Sequence, residues 1–244
     1  RDVQPPSWSV ATPGTLELHT FVVRGGLDDI LARERETLER DVLPTYLATM
    51  RWFQGKAGTI ESVSVVETAR FPADDPDQLL LEREVNVSTG ETGRYLLPVA
   101  PAWEDGPAWP LNTPLALARV RRGRRVGLLT DAVSTPAFNH ELLAALRQGL
   151  RVPTADGELV FRPTPKLEEF APEPDAEVTW PGREQSNSSI LIGRSAIVKL
   201  IRRLVDGAHP EAEMGRELTL RGFPSVAPML GDVLRKSADG SVYT

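Results

Sequence analysis

The chain contains no cysteine among its 244 residues, which excludes disulfide bonds and thiolate metal sites. Histidine is rare, and His19, His140 and His209 lack the spacing of a metal site. The sequence has no apolar run long enough to span a bilayer and no secretory pattern at its amino terminus. A net charge of −6 argues against nucleic acid or an anionic membrane as the main partner. We therefore expect a cytoplasmic protein with no nucleic-acid partner, no membrane partner and no metal ligands within this chain.

Lysine is also scarce, and one lysine has an unusual position. The lysines stand at positions 56, 166, 199 and 236, whereas the chain has 28 lysines and arginines together. Side chains alternate along a strand, so Ile197, Lys199 and Ile201 are predicted to share one face. An ammonium group between two isoleucines indicates a functional role, although a lysine at the rim of a sheet can also extend its charge to water.

The stretch Glu184–Glu217 predicts a hairpin that carries Lys199, followed by a helix. Gly193 and Arg194 supply the turn of the hairpin. His209 and Pro210 mark the start of the helix, which places acidic residues in its first turn. A strand lysine followed by a helix glutamate is the arrangement with which kinases hold nucleotide phosphates. The loop over the phosphates would then be residues 184–189, where serine and asparagine replace the usual glycines.

The remaining pattern predicts an α+β fold. Residues 1–20 are rich in proline and predict a linker. A strand at 21–23, a helix at 27–47 that Pro44 interrupts, a strand at 60–71 and a hairpin of 78–87 with 94–99 predict a small antiparallel sheet with helices against it. Proline-rich residues 98–114 suggest a boundary. Further strands are predicted at 115–120, 126–133, 158–162 and 226–234, with helices opening at Thr135 and Pro210.

Several motifs, taken in order, resemble the maltokinase family, whose kinase domain is similar to aminoglycoside phosphotransferases and, more distantly, to protein kinases. The resemblance covers roughly residues 20–244 and rests on RWFQGK at 51–56, Asp131-Ala132, EQSNSS at 184–189, IVKLIRR at 197–203 and the run that begins at His209. It implies an amino-terminal cap at 21–114 and an incomplete protein-kinase-like N-lobe at 115–244. The linker resembles the one that joins trehalose synthase to a fused maltokinase.

The resemblance also implies a reaction and a set of site residues. The reaction would be ATP-dependent phosphorylation of maltose to maltose 1-phosphate for glucan synthesis, with trehalose synthase as a fused or associated partner. The residues implied at the nucleotide are Lys199, its partner Glu213, and Ser186, Asn187 and Ser188 at the phosphates. Glu211 and Glu217 compete with Glu213 for the lysine.

The kinase C-terminal lobe has no counterpart before Thr244 in this resemblance. The catalytic residues, the Mg²⁺ ligands and most of the maltose pocket are therefore expected outside this sequence, and we expect no catalysis by this part alone. Two alternatives stay open, namely the front part of a related sugar or amino-sugar kinase and a non-catalytic module that docks trehalose synthase. For the RWFQGK motif we expect a structural role, in which Trp52 and Phe53 anchor the core and join the cap to the kinase lobe.

Overall fold

The computed structural model describes residues 18–71, 77–106, 115–170, 176–179 and 188–243. The predicted linker falls outside these ranges except for residues 18–20. Within them the α-helices, in chain order, are α1 Asp28–Arg33, α2 Arg35–Thr37, α3 Leu43–Thr49, α4 Pro136–Gln148, α5 Lys166–Glu169 and α6 Pro210–Leu220. A π-helical turn at Leu38–Val42 precedes α3, and 3₁₀ turns lie at Gly55–Ala57 and Ala132–Ser134.

The described residues form fourteen β-strands in three sheets. In chain order the strands are β1 Thr20–Val23, β2 Ile60–Arg70, β3 Leu79–Val87, β4 Thr92–Trp103, β5 Ala116–Arg122, β6 Arg125–Asp131, β7 Arg151–Thr154, β8 Gly157–Pro163, β9 Val178–Thr179, β10 Ser188–Ile192, β11 Ala196–Leu200, β12 Arg203–Leu204, β13 Gly231–Ser237 and β14 Val242–Tyr243. The large sheet has the order β1-β5-β6-β4-β3-β2, and β12 also pairs with β4. The smaller sheets have the orders β11-β10-β9 and β14-β13-β8-β7. The architecture is mixed, and it agrees with the α+β prediction.

The large sheet is bigger and less regular than the small antiparallel sheet that the sequence predicted. Its edge strand β1 pairs with β5 in parallel. No hairpin joins these two strands, so the turn signals that indicate antiparallel neighbours do not apply to them. Strands β5 and β6 follow the proline-rich segment and still pair with the strands before it. The sheet therefore continues across the predicted boundary between residues 114 and 115.

Both faces of the large sheet are buried, and each face belongs to a different core. Side chains alternate along β3, so Leu79 and Leu81 join the core beneath the amino-terminal helices. Leu80, between them, joins a second core that α4 and β8 complete with Phe138 and Phe161. Burial on both faces explains why the strand begins with the continuous apolar run Leu79–Leu81 rather than with an alternating pattern.

The predicted helix over residues 27–47 is divided into several segments. Pro44 lies in the first turn of α3. Its ring cannot donate a hydrogen bond and would collide with the carbonyl group four residues earlier. The wider π-helical turn at Leu38–Val42 lies directly before α3 and accommodates this residue. The helix is therefore interrupted near Pro44, as predicted, but the irregular turn lies before the proline.

The predicted strand at 226–234 is shifted, because the observed strand β13 spans Gly231–Ser237. Its register is set by pairing with β8, in which Gly231 lies opposite Pro163 and Ser237 opposite Gly157. This long-range pairing has no local signal in the sequence. The strand β7 was also absent from the prediction, because Pro153 in its middle is typical of an edge strand and weakens the pattern.

The predicted starts of α4 and α6 are confirmed. The Thr135 hydroxyl accepts a hydrogen bond from the amide of Phe138, and Gly149 ends α4 in the left-handed conformation with φ of 58°. At α6 the His209 ring accepts from the amide of Glu211, and Pro210 occupies the first turn.

Candidate functional site

Lys199 lies on the outward face of β11. Val198 and Leu200 pack against the second core, and the alternation of the strand turns Lys199 and Ile197 toward solvent. The Lys199 ammonium forms an ion pair with the Glu211 carboxylate, and the two side chains are 49% and 53% exposed. The amine is thus held in one orientation by an acid while it stays accessible to a ligand.

Glu211, rather than the predicted Glu213, is the partner of Lys199. Glu211 lies in the first turn of α6, which follows β11 closely in the chain. Two residues along an α-helix correspond to a rotation of about 200°, so Glu213 lies on a different side of α6. Among the described residues Glu213 forms no ion pair, and Glu217 pairs with Arg221 at 2.6 Å. The predicted helix is present, and the acid that pairs with Lys199 in this structure is Glu211, whereas a role of Glu213 at a nucleotide stays a prediction.

Ser188 and Ser189 lie on opposite faces of β10. Ser189 stands opposite Lys199 in the hairpin register, so these two side chains share a face. Ser188 stands opposite Leu200 and is fully buried. Its Oγ accepts a hydrogen bond of 3.0 Å from Nε of Arg202. The predicted contacts Ser186 and Asn187 lie outside the described residues. Of the two serines, Ser189 is the one that lies beside the lysine, and the sequence interpretation had chosen Ser188.

A fully buried ion pair lies beneath this surface. Nη2 of Arg202 donates to Oδ2 of Asp131 at 2.6 Å, and both side chains have zero exposure. The Tyr46 hydroxyl donates to the same oxygen at 3.0 Å. Burial, and next the negative charge of Asp131, raise the pKa of Tyr46 above its ordinary value. The tyrosine therefore stays neutral and acts as a donor to the carboxylate.

A second buried arginine, Arg83, lies beside the same tryptophan as Arg202. The guanidinium carbons of Arg83 and Arg202 are 5.5 and 5.0 Å from the centre of the Trp52 ring. In the described part of the structure none of the Arg83 guanidinium nitrogens has a hydrogen-bond partner. Burial lowers the pKa of Arg83 to about 9. The Trp52 region therefore contains two buried cations, of which only Arg202 pairs with a buried acid.

The RWFQGK segment connects the large sheet to the chain that follows Lys199. Trp52 and Phe53 are buried, as predicted for core anchors. The Gln54 side chain accepts a hydrogen bond of 2.7 Å from Arg203, and the Arg202 carbonyl accepts one of 2.8 Å from the amide of Leu96. The segment thus contacts Arg203 through Gln54 and Arg202 through the Trp52 ring, and it contributes to holding the Lys199 hairpin against the large sheet.

The helix α6, which carries Glu211, is anchored through Arg216. One guanidinium nitrogen of Arg216 donates to Oδ1 of Asp232 at 3.0 Å and to the carbonyl of Arg162 at 3.1 Å. The other donates to the carbonyl of Pro163 at 3.2 Å. Asp232 also pairs with the Arg162 side chain. These contacts fix α6 to β8 and β13 and so fix the position of the acid that orients Lys199.

Within the described ranges no three histidine, aspartate or glutamate side chains gather into a group that could hold a metal ion. No helix there has the length and apolar character needed to cross a membrane.

One family model matches this chain. It is described as the maltokinase N-terminal cap domain, and it covers residues 46–134. The match includes RWFQGK and Asp131, and it ends past the predicted boundary at residue 114, in agreement with the continuous sheet. Lys199 and Glu211 lie outside it. For the part of the chain from Tyr46 to Ser134, the match supports the maltokinase family and, with it, a kinase as the full protein.

Proposed function

We propose that this chain is the N-terminal part of an ATP-dependent maltokinase that converts maltose to maltose 1-phosphate. The observation that carries the proposal is the ion pair of Lys199 with Glu211, placed downstream of a region that matches a maltokinase cap. A strand lysine held by a helix acid is the arrangement by which kinases neutralise nucleotide phosphates.

In this proposal Lys199 contacts the α- and β-phosphates of ATP. The Glu211 carboxylate fixes the lysine rotamer, so that less side-chain entropy is lost when the nucleotide binds. Ser189 lies on the same face and offers a hydroxyl to a phosphate oxygen. Phosphate contacts by Ser186 and Asn187, which lie outside the described residues, stay part of this proposal.

The reaction transfers the γ-phosphoryl group to the anomeric hydroxyl of maltose. A new bond forms between that oxygen and the γ-phosphorus, and the bond from the γ-phosphorus to the bridging oxygen of ADP breaks. A catalytic base accepts the proton of the hydroxyl. We propose that the base, the Mg²⁺ ligands and most of the sugar pocket belong to a kinase C-terminal lobe. Catalysis then rests on positioning and on stabilisation of charge.

We also propose a biological setting for this reaction. The protein acts in the cytoplasm, next to or fused with trehalose synthase, and supplies maltose 1-phosphate for α-glucan synthesis. The proposal extends the resemblance of the proline-rich residues 1–20 to the linker of a trehalose synthase–maltokinase fusion.

The test uses the full-length protein with MgATP and a panel of maltose, glucose and glucosamine. We expect maltose-dependent ADP release, and we expect Lys199→Ala to remove nearly all of it. Turnover on glucosamine alone would assign the site to an amino-sugar kinase. If Lys199→Ala keeps both ATP binding and turnover, the lysine is only a solvated residue at the rim of the sheet.

A further inference from the structure

Four side chains form a continuous buried chain of hydrogen bonds from the large sheet to the start of β10. Tyr46 of α3 donates to Asp131 at the end of β6, Arg202 donates to the same carboxylate, and Arg202 also donates to Ser188. The exposed fraction is 4% for Tyr46 and zero for the other three. Within the described residues, this series of hydrogen bonds therefore joins the region that matches the cap model to the hairpin of Lys199.

Arg202 makes both of these contacts with neighbouring donors of one planar group. Its Nε holds Ser188 and its Nη2 holds Asp131. The guanidinium fork is rigid, so the position of Ser188 is defined relative to Asp131. Ser188 precedes Ser189, which stands opposite Lys199. A displacement of the carboxylate is thus passed to the residue that begins β10.

We propose that Arg202 is a positioning residue through which the cap sets the affinity of the Lys199 site for a nucleoside triphosphate. This inference rests on the proposed function, because it assigns a regulator to that same nucleotide site. Tyr46 and Asp131 hold Arg202 in place from the cap side, and Arg202 in turn orients Ser188 through the hydrogen bond from its Nε. Ser189, which follows Ser188 in β10 and stands opposite Lys199, then has a fixed position relative to the lysine.

The test compares two single-hydroxyl deletions in the full-length protein. Tyr46→Phe removes the hydrogen bond to Asp131, which is the first link of the series on the cap side. The matched control, Thr130→Val, removes another buried hydroxyl of the same region, which donates to the Leu115 carbonyl at 3.0 Å and has no contact with Arg202 among its hydrogen bonds. The readouts are hydrogen exchange of the amides of residues 188–192 and the Kd for ATP.

Tyr46→Phe should raise amide exchange in residues 188–192 and raise the Kd for ATP about two- to tenfold, with kcat little changed. Thr130→Val should leave both readouts at the wild-type value. Equal effects of the two variants, or no effect of Tyr46→Phe on exchange, would overturn the inference.

Measurement of Lys199→Ala in parallel separates the positioning role of Arg202 from the nucleotide site at Lys199. If Lys199→Ala weakens ATP binding and Tyr46→Phe does not, the positioning role fails while the nucleotide site stands. If Lys199→Ala binds ATP normally, the nucleotide site itself fails.

Discussion

Arg202 and Asp131 form an ion pair at 2.6 Å in which neither side chain has any exposed surface. Removal of two charges from water is unfavourable, and the pair is tolerated because Tyr46 and Ser188 satisfy further hydrogen bonds around it. The pair also connects residues that lie 71 positions apart in the chain. Together with the pairing of β12 and β4, it therefore attaches the Lys199 hairpin to the large sheet.

Loss of one partner of this pair should strongly destabilise the protein. Arg202→Met leaves the Asp131 carboxylate buried and unpaired, and we expect a loss of about 3–5 kcal/mol in the free energy of unfolding. Urea unfolding followed by circular dichroism measures it. The control is Arg40→Met, which breaks an exposed pair with Glu36 and should leave the midpoint unchanged. A similar, small change in both variants would contradict the buried network.

Arg83→Met should stabilise the protein, whereas Arg202→Met should destabilise it. None of the Arg83 guanidinium nitrogens has a hydrogen-bond partner in the described structure, so the Asp131 charge nearby offsets only part of the cost of burying this cation. Replacement by an apolar side chain of similar length should raise the free energy of unfolding by about 1 kcal/mol. Loss of the cation–π contact with Trp52 reduces this gain. The same urea titration serves, and a marked destabilisation would indicate that Arg83 has a partner in solution.

The contribution of Tyr46 to stability should decrease at alkaline pH. Burial raises the pKa of Tyr46 above 10, so the folded protein keeps this proton where the unfolded chain loses it. The folded state then binds more protons, and stability falls as pH rises beyond 10, by about 1.4 kcal/mol per pH unit for this group. Tyr46→Phe should be less stable than wild type by about 1–2 kcal/mol at pH 7. Unfolding titrations from pH 8 to 11 should show that this difference shrinks, and a constant difference would contradict the raised pKa.

Glu211 and Glu213 offer a closely matched pair of variants on one helix. Glu211→Gln removes the charge that pairs with Lys199, and we expect the Kd for ATP in the full-length protein to rise about two- to fivefold, the size expected for a half-exposed ion pair. Glu213→Gln removes the same charge two residues further on and should leave the Kd unchanged. Isothermal titration calorimetry distinguishes the two, and the reverse ranking would restore Glu213 as the functional acid.

The secondary structure near Lys199 could be predicted because its signals are local. Gly193 adopts φ of 55° in the turn between β10 and β11, as a hairpin requires. Pro210 and the His209 cap begin α6 where the sequence indicated. Such signals depend on the conformational limits of single residues, and no distant contact changes them.

The choice of individual site residues could not be made in the same way. The sequence shows three acids on the helix and adjacent serines before the strand, and each is chemically suited to the role. The rotation of α6 and the register of β10 against β11 select Glu211 and Ser189. Arg202 was also missed, because nothing local distinguishes it from the many exposed arginines of the chain.

By itself the sequence determined the elements that single residues and short periods encode: the capped helices, the glycine turns and the strand that carries Lys199. The tertiary structure alone decided that the sheet continues past residue 114, that Ser188 is buried while Ser189 lies beside Lys199, and that Arg202 meets Asp131. Pairing register and long-range packing fix these relationships, and the free energy that favours them arises only when segments far apart in the chain bury each other's surface.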